Sequence, residues 1–239
     1  MAFPLTHLLV ANELIKTAPW LVGDEPELFL LGSIAPDAVH YREGLVGASQ
    51  LGIGEAKKIT HLCPISDEKW GQTTDNIGWE KRAKDFFLSN TGGDVGASSL
   101  SAGYAAHVLT DIFTNMGIYH NFRTNYPGEA AKGYQSDYYR DLKNIDIRLY
   151  HEIYKSSGIA NALANAVAQD MPGLVSADEI HAIRDNLLYE YYNSEVARTD
   201  TDYMHAEYIY VTYGEVLEFI SDAAAYCAKV LSTSVAKGA

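Results

Sequence analysis

The stretch SAGYAAHVLTDIFTNMGIYHNF, residues 101–122, decides how the rest of the chain is read. Its apolar, alanine-containing first part reads as helix, with His107 and Asp111 four residues apart. Four residues advance an α-helix by slightly more than one turn, so the imidazole and the carboxylate project from one face as neighbours. Leu100, Gly103, Tyr104 and Val108 share that face, which therefore turns inward. Gly103 weakens the helix slightly but lets another backbone or a ligand come close. An inward carboxylate needs a partner, because an unpaired buried charge is too costly to persist. Either a His–Asp hydrogen bond in the core or a divalent cation meets that need. His120, just beyond the helix end expected at Asn115–Gly117, tips the balance towards the cation.

Composition sets the outer limits. With 239 residues, 47% hydrophobic and 21% charged, the chain is globular and long enough to bury a substantial core. Apolar runs such as FLLGSIAP fall far short of a bilayer span. The start, MAFPLTHLLVANELIK, lacks a basic leader and an obvious cleavage site, so a cytoplasmic location is expected. Cys63 and Cys227 lie far apart without CxxC spacing and read as reduced thiols. The net charge of −13 argues against duplex nucleic acid as a partner, since backbone binding needs a basic surface. A bound metal can still reverse the potential locally.

Helix signals recur along the chain, and strand-like alternation is scarce. Thr6 is the expected cap of a first helix, and Pro26 starts a short one that Pro36 closes. Residues 41–55, rich in glycine, read as loop. Asp75 or Asn76 caps a helix over about 78–88, and a helix over 98–115 follows. The segment NFRTNYPGEAAKGYQ reads as a polar connection. Ser136 starts a long helix to Tyr154, and residues 159–170 form another. Ser176 with Glu179 makes a capping-box pattern, and a last helix spans about 205–231. The fold class is all-α, and one domain over 1–239 is the expectation.

Four segments hold most of the His and Asp residues with metal-ligand character: PLTHLLVA with His7, LGSIAPDAVHYR with Asp37 and His40, ITHLCP with His61, and AHVLTDIFTNMGIYH with His107, Asp111 and His120. Histidine and carboxylate without thiolate is the ligand chemistry of catalytic zinc, manganese or iron, whereas structural zinc favours cysteine. Each piece has an ordinary reading as well. Asp37 after Pro36 can cap a helix, His40 can simply bond Asp37, and Thr-His pairs at helix starts are common. The combination is more specific than any piece.

In order and spacing, THLLVA, LGSIAPDAVHYR, the THL of 60–62 and AAHVLTD with its later histidine resemble the bacterial zinc-dependent phospholipase C family, related to the S1/P1 nucleases. The resemblance spans about residues 4–122. It implies a mostly helical single domain with up to three zinc ions in a cleft. It makes Asp37, His61, His107 and Asp111 ligands of one ion. Asp111 would bridge to a second ion held by His7, where family members also use the N-terminal amine. His120 would bind a third ion together with a His-x3-Glu pair on the next helix. This chain departs there: SDYYRDLKNIDIRLYHE contains no such pair. Asp137 and Asp141 have the spacing but read as surface charges, and His151 and Glu152 point about 100° apart on a helix. Two zinc ions are therefore expected.

The chemistry implied is hydrolysis of a phosphoester by zinc-activated water, with Asp37 or Asp111 orienting that water. A phospholipid, another small phosphodiester or phosphomonoester, and a nucleotide all stand as substrates. Two other classes compete. One is an HD-type phosphohydrolase, disfavoured because no His-Asp dipeptide occurs. The other is a non-enzymatic helical protein that keeps a metal or His/Asp network for stability or interaction. His181 and His205 read as surface or interhelical groups. The tyrosines, concentrated from Tyr104 onward, read as packing material with a possible role in lining a cleft.

Overall fold

The computed structural model describes residues 3–45, 50–64, 66, 68, 70–90, 95–193 and 206–235. Helix follows helix through them. The first half comprises α1 (Pro4–Thr17), α2 (Pro19–Val22), α3 (Pro26–Gly32), a 3₁₀ segment (Ala35–Tyr41), α4 (Gln50–Thr60), α5 (Asn76–Asn90) and α6 (Val95–Met116). Next come α7 (Ile118–Asn125), α8 (Pro127–Ala130), a 3₁₀ turn (Gly133–Gln135) and α9 (Asp137–Leu149), which runs on through a π-helical turn (Tyr150–Tyr154) into α10 (Lys155–Ser157). The chain closes with α11 (Ile159–Asn165), α12 (Ala177–Asp185), a second π-helical turn (Asn186–Tyr191) and α13 (Tyr213–Val235). Among the described residues there is no β-strand, only an isolated antiparallel bridge between Met171 and Val175. None of their helices is long and apolar enough to cross a membrane.

Helix α6 is the axis. Every residue from Ser99 to Ile112 is buried, so the helix is surrounded on all sides, as its apolar, small-residue sequence requires. Helices α1, α3, α5 and α13 pack directly on it. The α3 crossing depends on two glycines. A Cβ on Gly103 would lie 2.0 Å from the Phe29 carbonyl oxygen, and one on Gly32 would lie 2.1 Å from that of Leu100. The backbones touch because neither residue has a side chain. That contact carries the end of α3 up to His107. On another side, Phe113 packs against Phe219 and Tyr226 of α13, with ring centroids 5.5 and 5.1 Å apart.

Several boundaries differ from the sequence expectation. Helix α1 starts at Pro4, and Thr6 is a buried first-turn residue instead of its cap. Proline suits a first helical position, where its missing N–H leaves no bond unmade. Pro36 falls inside the 3₁₀ segment, and residues 50–55 are helical despite their glycines. The polar connection is itself short helix, so His120 sits on α7. Residues 206–212 are not helical, and the last helix begins at Tyr213. Thr212 caps it, accepting from Glu215 N while Glu215 accepts in return. The Ser176–Glu179 capping box is present as read. Asp75 likewise caps α5, accepting from Gly78 N at 2.8 Å.

Candidate metal centre

Five of the six expected ligands converge. His7 comes from α1, Asp37 from the 3₁₀ segment, His61 from the end of α4, and His107 and Asp111 from α6. His7, Asp37 and His107 offer ligand atoms within 4.8 Å of one another, and so do His61, His107 and Asp111. His61 Nε2 lies 3.4 Å from Asp37 Oδ1 and 3.6 Å from Asp111 Oδ2. His107 Nε2 lies 3.8 Å from Asp111 Oδ2, and His7 Nε2 lies 3.6 Å from Asp111 Oδ1. All but Asp37, which faces a cleft, are buried.

Backbone carbonyls set the histidine tautomers. His107 Nδ1 donates to Ser33 O at 2.7 Å, and His61 Nδ1 donates to Lys57 O at 3.0 Å. A carbonyl only accepts, so each ring carries its proton on Nδ1 and presents a bare Nε2 lone pair. Those two Nε2 atoms face each other at 3.3 Å. His7 stacks on His107 with centroids 3.7 Å apart, and among the described residues neither of its ring nitrogens has a hydrogen-bond partner. Asp111 Oδ1 has none either. Burial pushes the His7 pKa down to about 3, helped by His107, and burial likewise takes His61 to about 4. His7 and His61 are thus neutral near pH 7. Burial alone would raise the two carboxylates. Lys57, with His61, nonetheless holds Asp37 well below the usual range, and the three imidazoles hold Asp111 down.

Lone pairs pointing at lone pairs, with no proton between them, repel. Each orphaned buried acceptor costs about 1–3 kcal/mol. A divalent cation removes the repulsion and gives Asp111 Oδ1 and one His7 ring nitrogen a partner, so this donor set fits zinc in ligand type.

The position of His61 has its own local cause. Helix α4 ends in a Schellman motif: Cys63 N bonds Lys58 O at 2.9 Å and Leu62 N bonds Ile59 O at 3.0 Å. Leu62, at φ +55°, occupies the left-handed position that glycine usually takes. Such a residue costs about 1–2 kcal/mol. Trp79 Nε1 holds the His61 carbonyl at 2.7 Å, and the Tyr104 hydroxyl donates to the Thr60 carbonyl.

His120 is the exception. It is exposed on α7 and belongs to neither ligand group, so the third ion's expected anchor is not brought to the cluster. The acidic pair on α9 does not rescue that site. Asp137 is half-buried and paired with Arg140 at 2.8 Å. Asp141 is no surface charge, contrary to expectation. It is fully buried, and its Oδ2 accepts from the backbone N–H groups of Ile209, Tyr210 and Val211. Glu152 pairs with Arg148 at 2.8 Å. His181 is an interhelical group, accepting from Ala168 N at 2.9 Å, while His205 and the N-terminal amine lie outside the described residues.

The cluster opens on a cleft of about 220 Å³. Asp37, His40, Lys57 and Asp111 line its polar side, and Phe3, Tyr41, Tyr134, Tyr139, Leu187 and Tyr191 line much of the rest. The second π-helical turn supplies the last two; such wide turns recur at functional sites. Lys57 is the residue the sequence reading passed over. It stands four before His61, the spacing that singled out His107 and Asp111, so the same rule would have found it.

A buried His₃Asp₂ cluster reached from a cleft, on a helical scaffold, is a group of side chains that could hold a metal, with the nitrogen and oxygen ligands of open zinc sites and no thiolate. The family model for zinc-dependent phospholipase C matches residues 6–210. The chain belongs to that family. No curated protein and no solved structure matches it.

Proposed function

We propose that this protein is a zinc-dependent phosphodiesterase that cleaves a lipid phosphodiester in the manner of a phospholipase C, using two zinc ions. The observation that carries the proposal is the pair of bare Nε2 atoms of His61 and His107, 3.3 Å apart, beside the unpartnered Asp111 Oδ1. Asp37, His61, His107 and Asp111 would hold one ion, and His7 with Asp111 the other. Bound zinc supplies a hydroxide nucleophile near neutral pH and offsets charge on the phosphoryl oxygens.

The chain's own residues do the remaining work. Asp37, partly open to the cleft and ionised, accepts a hydrogen bond from the attacking water and orients it. Ser33 O and Lys57 O keep the imidazoles in the ligating tautomer. The aromatic wall of Tyr41, Tyr134 and Tyr139 excludes water and packs the organic part of the substrate.

Metal analysis of the purified protein, paired with a panel of phosphatidylcholine, a soluble phosphodiester and a phosphomonoester, tests the reading. Two zinc ions per chain and turnover of the diesters are expected. A protein with no zinc and no turnover, or one that cleaves only the monoester, overturns it.

A further inference from the structure

Lys57 is not explained by the metal cluster. Its side chain is only 7% exposed, and burying an ammonium is costly unless its bonds are met. Two of its three N–H donors have partners: Asp37 Oδ1 at 2.7 Å and His40 Nε2 at 3.2 Å. The amino group also lies 5.1 Å from the Trp70 ring centroid. Its third donor has no hydrogen-bond acceptor among the described residues, and the side chain lines the cleft beside Asp37 and Asp111.

Charge balance gives this position a meaning. In the bare protein Lys57 offsets Asp37. With ions on the cluster, Asp37 and Asp111 no longer match the positive charge, and the Lys57 ammonium adds to the surplus. An anion entering the cleft restores the balance and takes the free donor.

On the hydrolase reading above, we propose that Lys57 is a substrate-binding residue whose ammonium seats a non-bridging phosphoryl oxygen beside the metal cluster. The site is thereby restricted to substrates that bring a phosphate-type anion. Its fixed position comes from the same helix end that places His61, so metal ligand and phosphoryl seat are delivered by one turn of α4.

Titration of inorganic phosphate into the zinc-loaded protein, followed by calorimetry, tests this directly. Lys57→Gln is expected to keep the zinc content and weaken phosphate by about 10–100-fold, as loss of one charge-assisted hydrogen bond predicts. Lys57→Arg is expected to recover most of the affinity. Unchanged phosphate binding in Lys57→Gln overturns the proposal, and so does uptake of an extra zinc ion, which would show the ammonium merely filling an ion's place. Phosphate soaked into crystals of the unmutated zinc-loaded protein gives a reading independent of variant folding. An oxygen within hydrogen-bond distance of Lys57 Nζ is expected, and a phosphate seated away from it overturns the assignment. If the wild-type protein binds no zinc, the hydrolase reading fails by itself. Phosphate binding that still tracks Lys57 in that protein upholds the seat, and its absence overturns it.

Discussion

Two pairs of carboxylates are drawn inside this protein, and they are treated in opposite ways. Asp37 and Asp111 meet imidazoles whose lone pairs point at them; Asp37 has the Lys57 ammonium as a donor, and Asp111 Oδ1 has none among the described residues. Asp141 and Asp146, on α9, meet donors instead. Asp141 Oδ2 collects three backbone N–H groups at the approach to α13, while its Oδ1, without a hydrogen bond among the described residues, lies 3.7 Å from the Arg140 guanidinium. Asp146 takes Leu5 N and the Tyr192 hydroxyl, each at 3.2 Å. Donors around a carboxylate build structure. Acceptors around a carboxylate have no favourable arrangement until a cation arrives. The difference separates a binding site from scaffold more sharply than burial, which all four carboxylates share to a large degree.

The largest effect expected from breaking that contrast is at Asp111. Asp111→Ala should lower zinc content and reduce phosphodiester turnover by about 1000-fold, several kcal/mol of transition-state stabilisation. Normal zinc and normal turnover in this variant would sink the assignment. Asp141→Ala should do the reverse, leaving zinc in place while costing roughly 3 kcal/mol of stability, because three backbone donors lose their acceptor. Denaturant unfolding with metal analysis separates the two outcomes.

Acid should then discriminate between the regions. In metal-free protein, His7 and His61 have folded pKa values of about 3 and about 4, below the 6.5 of the unfolded chain. The unfolded state binds more protons across that interval. Stability is therefore complete above 6.5 and declines as pH falls towards 4 and 3. Thermal melts of stripped protein should show this slope, and zinc should suppress it near neutrality. A flat profile in the stripped protein contradicts the burial of neutral imidazoles.

Asp146 runs the other way. Burial raises it to about 7, only partly offset by the Tyr192 and Leu5 bonds. The folded state here holds the extra proton, so this contribution is lost as pH rises from about 4 through about 7. Asp146→Asn should gain on the wild type in melting temperature as pH rises from about 4 to about 7. A constant offset would show that ionisation is not what matters there. The smallest effect is expected at His120: His120→Ala should keep its zinc content and turnover, and loss of an ion would restore His120 as a ligand.

Much of this was legible in the residues alone. The i, i+4 pairing of His107 and Asp111 and the small residues around them imply an inward helix, and Gly103 marks where another backbone could pass. Both follow from helix period and side-chain size, which are local properties. The motif order also brought His7, Asp37 and His61 into the same hypothesis. What required the tertiary structure was everything set by partners distant in sequence. Asp141 looked like a surface charge because its donors lie some seventy residues downstream, at 209–211. Lys57 was passed over altogether, and its role shows only where α4 turns it towards Asp37. Periodicity states which face of a helix a residue occupies. Only packing decides whether that face meets donors, acceptors or water, and that decision divides metal ligand, phosphate seat and scaffold among residues of the same type.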